Sequence, residues 1–208
     1  MTVIHGLGGL GKTALATEYA HAYAHEYSGG RWQIHCEGRD DLRLAFASLA
    51  PALNIEFLDE ERLDPGAQLA RVLNAFRGFD KRCLILLDNV DHSTLLDPAQ
   101  LARLPREDWL RIVATTRLNP QTLGGNEDDL HFVSLDELSF HDAFDLIERH
   151  QPDRQIKGET ERAATTEILQ LLDGFTLAVE TTAVWLEAPR AYHFRSAKMR
   201  YFYQYLTD

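Results

Sequence analysis

The stretch Gly6-Leu7-Gly8-Gly9-Leu10-Gly11-Lys12-Thr13, written GLGGLGKT, fits the spacing G-x-x-x-x-G-K-[ST] without a gap. A short run rich in β-branched residues, Thr2-Val3-Ile4-His5, precedes it, and ALATEYAHAYAHEY, rich in helix formers, follows. Pattern and flanks together predict a strand, a phosphate-binding loop and a helix. With glycine at about 7% of residues, the bare pattern arises by chance in roughly one chain in a hundred of this length, before the flanks are counted.

The chemistry accounts for each residue type. Glycines at Gly6, Gly8, Gly9 and Gly11 let the backbone curl so that successive N–H groups face phosphate oxygens, and Leu10 and Ala14 are expected among the nucleotide-binding positions. The following helix adds the positive end of its dipole. Lys12 is expected to neutralise the β- and γ-phosphates and the Thr13 hydroxyl to ligate Mg²⁺.

The flanking pattern repeats along the chain. Strands are predicted at 2–5, 31–36, 82–87, 111–115 and 131–134, with helices at 12–26, 41–53, 65–76 and 94–101 between them. Alternation of this kind implies an α/β fold with a five-stranded parallel sheet covered by helices on both faces. After Ser134 the pattern is helical only: SFHDAFDLIERH, with Ser139 as cap and Phe140, Ala143, Phe144 and Ile147 on one stripe, then ETERAATTEILQLL and TLAVETTAVWLEA. The expected organisation is an α/β domain over 1–136 and a small helical subdomain over 137–208.

A phosphate loop needs a carboxylate at the end of a neighbouring strand, because a cation held by Thr13 and phosphates alone lacks acidic support. CLILLD, residues 83–88, provides four apolar residues and then Asp88. Asn89 follows, where many hydrolysing P-loop enzymes place a glutamate; an amide is no general base, so slow turnover is expected. Asp91 is a further acid near this edge. RIVATTR, 111–117, ends in Arg117, whose planar fork suits a γ-phosphate and would tell ATP from ADP. Lys12, Asp88 and Arg117 are thus the catalytic candidates, and Thr13 and Asp88 the candidates for Mg²⁺.

In this order the motifs resemble those of the NB-ARC family, the nucleotide-switch modules of STAND-class P-loop ATPases. GLGGLGKTALATEYA resembles the family's P-loop, CLILLDNVD its Walker B segment, RIVATTR its sensor strand, LDELSFHDAFDLI the entry to its helical subdomain and GFTLAVETTAVWL its GLPLA helix. LLDNVD is closest in style to the bacterial branch. The resemblance implies an ATP/ADP switch in a larger signalling, regulatory or defence protein, with slow Mg²⁺-dependent ATP hydrolysis, and a homo-oligomer in the ATP state. The family's proline is replaced by Thr176. The family's segment before the first strand and its winged-helix domain have no counterpart in these residues, so sensor and effector domains are expected in a longer protein.

Bulk properties agree with such a module. The chain has 208 residues, 45% of them hydrophobic and 25% charged, as in an ordinary globular protein. No apolar run approaches a membrane span and the N-terminus has no basic-then-apolar signal, so a cytoplasmic location is the expectation. Net charge is −11, which disfavours nucleic acid as a general partner; residues 189–208 sum to +3, leaving −14 for the remainder. Cys36 and Cys83 lie in strand-like segments and are expected as buried thiols.

Other signals are set aside on physical grounds. YSGGR, 27–31, resembles an ABC-transporter signature but follows the P-loop too soon, and is expected as a glycine turn. His21 and His25 are one turn apart yet lack a third ligand, which fits solvent-facing histidines. The aromatic tail, including Tyr192, Phe194, Tyr201 and Tyr203, is expected to pack on a helical surface rather than to stack on bases. A P-loop phosphotransferase acting on a small molecule is the competing activity, but no Arg-rich lid is found. A GTPase is weaker still, since no Asn-Lys-x-Asp motif occurs.

Overall fold

A computed structural model describes residues 1–123 and 130–187. The described residues divide into two compact units: Met1–Gly8 with those of Lys12–Leu135, and Gly9–Gly11 with those from Asp136 to Glu187.

The first unit is built on a sheet of five parallel strands: β1 (Thr2–His5), β2 (Arg31–His35), β3 (Cys83–Val90), β4 (Leu110–Thr116) and β5 (His131–Ser134), in spatial order β2-β3-β4-β1-β5. The strand pleat sends alternate residues to opposite faces, and the two faces carry separate apolar clusters. Val3, Ile85 and Leu87 join Phe46, Val72 and Phe76 on one face, beneath the helices α2 (Leu42–Ala47) and α3 (Pro65–Gly78). Ile4, Leu84 and Leu86 join Ala16, Ala20 and Tyr27 on the other, beneath α1 (Lys12–Ala22). Covered on both faces, β3 is buried at every position except Asn89, which is why its sequence reads as a continuous apolar run rather than an alternating one.

Several boundaries differ from those read in the sequence. The segment 41–53 is a six-residue α2 followed by a 3₁₀ turn at Pro51–Leu53, because Pro51 cannot extend the ladder. Asp41 caps α2 by accepting the Arg43 N–H at 2.9 Å, and Asp64 caps α3 with Pro65 in the first turn. The segment 94–101 is a 3₁₀ turn at Ser93–Leu96 and a single turn, α4 (Pro98–Leu101); α5 (Pro120–Leu123) follows β4. Cys36 and Cys83 are buried free thiols. Tyr27 to Gly30 forms the expected turn, the Gly29 N–H donating to the Arg82 carbonyl at 2.9 Å. His21 and His25 are exposed.

The second unit contains α6 (Phe140–Arg149), α7 (Glu159–Leu172) and α8 (Thr176–Glu187). Ser139 caps α6, its Oγ accepting the Asp142 N–H at 3.1 Å and donating to the Asp142 carboxylate at 2.6 Å. Ala143, Phe144 and Ile147 enter the core with Ile168, Leu169, Val179 and Ala183, whereas Phe140, expected on the same stripe, stays half exposed at the first turn. Between α7 and α8 the chain reverses through Asp173 (φ 46°) and Gly174 (φ 71°). A Cβ at Gly174 would lie 2.2 Å from the Leu138 carbonyl oxygen, so only glycine fits this crossing. The aromatic tail lies outside the described residues.

Candidate functional site

The loop Gly6–Gly11 leaves β1 at its C-terminal end and opens α1, in the order the spacing requires. Gly6 (φ 145°), Gly9 (φ 81°) and Gly11 (φ 94°) occupy backbone conformations that side chains rarely adopt. Gly8 has an ordinary φ, but a Cβ there would come 3.5 Å from Nε of Arg117. The exposed Arg117 side chain therefore lies against the loop, as its placement just after β4 allows. Leu10 is buried, and Ala14 is exposed in the first turn of α1.

Lys12 folds back over this loop. Its ammonium donates to the Gly6 carbonyl at 2.9 Å and the Leu7 carbonyl at 2.5 Å. Burial, and then the positive charge of Arg117, hold its pKa below the usual lysine value. Two cations beside one loop disfavour each other, and an anion between them would relieve that repulsion.

The acidic half of the site is built by β3 and β4. Asp88, 8% exposed, accepts two short hydrogen bonds at Oδ1, from the Thr13 hydroxyl at 2.6 Å and the Thr115 hydroxyl at 2.7 Å. Thr13 gives its one hydroxyl hydrogen to Asp88, so its lone pairs remain for a cation. A hydroxyl beside a carboxylate is the hard-oxygen set that suits Mg²⁺. Together with a loop whose Gly6, Gly9 and Gly11 hold left-handed backbone and a buried lysine, the residues fit a Mg²⁺–nucleotide.

One expectation about this half is corrected. Asp88 is not at the end of a strand adjacent to β1: β3 runs on to Val90, and β4 lies between β3 and β1. Strand order depends on crossovers that no local pattern encodes, and β4 thereby sets Thr115 beside Asp88. Asp91 is committed elsewhere, both its carboxylate oxygens accepting the Gly38 N–H at 3.0 Å.

Asn89 has φ 58°, and the β3–β4 register shifts between Leu87 and Val90. Its N–H donates to the Thr115 hydroxyl at 2.9 Å, and the Thr116 hydroxyl donates to the Val90 carbonyl at 2.6 Å. Thr115 therefore serves the carboxylate and the kink at once. It was legible only as a polar residue at the end of a buried strand. Gln33 was missed as well: its Nε2 donates to Asp88 Oδ2 at 3.2 Å. In the second unit, the Leu177 N–H donates to the Gly9 carbonyl at 2.9 Å, and the Thr176 Oγ1 is buried without a partner.

Comparison with known proteins gives a consistent picture. A family profile described as NB-ARC domain matches residues 1–157. The chain is similar to the regulatory protein AfsR of Streptomyces griseus, at 26% identity over 92% of this chain and 19% of that protein, and to AfsR of Streptomyces coelicolor, at 25% identity over 92% and 18%. It thus spans about a fifth of the length of these curated relatives. Among solved structures it resembles Cdc6p from Pyrobaculum aerophilum, with a TM-score of 0.63 at 17% identity over 89% of this chain and 55% of that one. It also resembles a signal transduction ATPase with numerous domains (STAND) protein with a tetratricopeptide repeat sensor from Pyrococcus horikoshii, with a TM-score of 0.50 at 20% identity over 86% and 26%. At these identities the two structures bear on the fold, which is that of a P-loop NTPase.

Proposed function

The chain belongs to the NB-ARC family, and on that premise we propose that it is the ATP/ADP switch module of a larger regulatory protein, with slow Mg²⁺-dependent hydrolysis resetting the switch. The observation that carries this reading is the 2.6 Å hydrogen bond from Thr13 to Asp88, which joins the end of the phosphate loop to the acidic strand. In the proposed assignment, phosphate oxygens take the place of the Gly6 and Leu7 carbonyls at the Lys12 ammonium. The N–H groups of Gly8, Gly9, Leu10, Gly11, Lys12, Thr13 and Ala14 line the loop around them. Bound Mg²⁺ would supply charge neutralisation to the β- and γ-phosphates, held by the Thr13 hydroxyl and supported by Asp88.

Arg117, beside Gly8, is assigned to the γ-phosphate, the group that distinguishes ATP from ADP. Asn89 cannot accept a proton from water, which supports slow turnover. The difference in binding energy between the two nucleotides is what can shift a two-state equilibrium. We place oligomerisation in the ATP state, and assign sensing and effector functions to parts of a longer chain, as the relatives' length suggests. No helix among the described residues is long and apolar enough to cross a membrane, and a cytoplasmic site of action is part of the same proposal. Nucleotide and protein domains, rather than nucleic acid, are the assigned partners of a chain with net charge −11.

Calorimetric titration with ATP and ADP, each with Mg²⁺ and with EDTA, tests the switch. Binding of both, with ATP the more dependent on Mg²⁺, is the expected result. A folded protein that binds neither would refute it. Light scattering with each nucleotide tests the oligomer, and phosphate release tests the turnover.

A further inference from the structure

Asp88 is gripped from three elements, and the grip is divided between its two oxygens. Oδ1 takes both threonine hydroxyls, one from the start of α1 and one from β4. Oδ2 takes a single hydrogen bond, from Gln33 on β2. β2 is the edge of the sheet, and among the described residues no further strand stands beyond it to supply another donor. His35, paired with Asp88 across β2 and β3, is the other group near Oδ2, but its Nδ1 is 3.8 Å away, too far for a hydrogen bond.

Gln33 otherwise has the character of a surface residue. The apolar members of β2, Trp32 and Ile34, face the opposite side of the sheet, and Gln33 is exposed. Nothing in core packing requires an amide there. Among the described residues, its side chain's hydrogen bond goes to the buried carboxylate.

We propose that Gln33 is a positioning residue for the cation site: its amide fixes Asp88 Oδ2, and so sets the plane in which the carboxylate meets a divalent cation held by Thr13. The proposal rests on the nucleotide-switch reading above. The two short bonds restrain only Oδ1, and a donor on Oδ2 holds the second oxygen as well, narrowing the libration of the carboxylate about its Cβ–Cγ bond. Ligands held in place bind a cation without first losing conformational freedom.

The test is the Mg²⁺ dependence of ATP affinity in the whole chain, comparing wild type with Gln33→Met and His35→Ala. Methionine matches glutamine in length and lacks the donor. Because Gln33 is exposed and water can take the place of its amide, the thermal midpoint of Gln33→Met should fall by no more than a few degrees with a cooperative transition retained, which separates positioning from folding. The expected result is a Mg²⁺ concentration for half-maximal enhancement of ATP binding raised about five- to tenfold in Gln33→Met, the scale of one ordinary hydrogen bond made by an exposed side chain. Affinity in EDTA should be unchanged, and His35→Ala should behave as wild type. A wild-type Mg²⁺ midpoint in Gln33→Met would overturn the role of Gln33 alone. A wild-type chain whose ATP binding ignores Mg²⁺ would overturn the cation site itself, and the role of Gln33 with it.

Discussion

Replacing Thr115 by valine keeps the shape of a side chain that is 2% exposed and removes only its hydroxyl. That hydroxyl makes two hydrogen bonds at once: it donates to Asp88 Oδ1 at 2.7 Å and accepts the Asn89 N–H at 2.9 Å. Losing the first removes a bond to a charged acceptor, about 1.5–3 kcal/mol, and losing the second strands a partly buried N–H, about 1 kcal/mol or more. The added methyl offsets a fraction of this by burial. The net expectation is a destabilisation of about 2–4 kcal/mol, which for a urea slope of about 2 kcal/mol per molar lowers the midpoint by about 1–2 M. Thr115→Ser, which keeps the hydroxyl, should lose less than about 1.5 kcal/mol. Equilibrium urea unfolding of the three proteins decides the matter. If Thr115→Val were as stable as wild type, or if serine and valine cost the same, the hydroxyl would not be what secures the carboxylate and the kink.

Lys12→Ala should remove nucleotide binding in calorimetry while leaving the circular dichroism spectrum intact, since the lost ammonium contacts only loop carbonyls. Arg117→Ala should weaken ATP about tenfold or more and ADP little, the share of one charge-assisted contact to the γ-phosphate; an equal loss for both nucleotides would move Arg117 away from that group. Gly174→Ala should destabilise the helical unit by about 2–4 kcal/mol, because a left-handed φ and a crowded Leu138 carbonyl both oppose a Cβ; thermal unfolding would show an unchanged midpoint if the crossing were tolerant. Burial pushes the Cys36 thiol up to about 12, so the neutral thiol prevails at pH 8; iodoacetamide should spare it in the native protein and label it in denaturant.

What the sequence disclosed was local. GLGGLGKT carries its own fold because Gly6, Gly9 and Gly11 answer backbone demands within eight residues, and CLILLD announces a strand covered on both faces because nothing polar interrupts it. The Ser139 cap was legible for the same reason, its partner lying three residues on. What stayed hidden depends on residues far apart in the chain. Thr115 and Gln33 meet Asp88 only because β3 lies between β2 and β4, and no periodicity within one strand fixes its neighbours. Asp91 carried the right chemistry for a cation, yet the reach to Gly38 that occupies it is a matter of loop shape. Phe140 satisfied the helical spacing and still faced outward, because the first turn of a short helix can extend past the core it serves.

On the proposed reading of a slow nucleotide hydrolase, the kink at Asn89 bears on how the tempo of hydrolysis could change over generations. With φ at 58°, the position favours asparagine or glycine; a glutamate would have to take up a left-handed backbone at a cost of about 1–2 kcal/mol, and its carboxylate would leave from a strand already bent out of register. A faster hydrolase is therefore not one substitution away. The strand would have to straighten first, which means giving up the Asn89–Thr115 bond and with it part of the hold on Asp88. Rate and grip are tied to the same few atoms, so a lineage that quickened the first would loosen the second on the way.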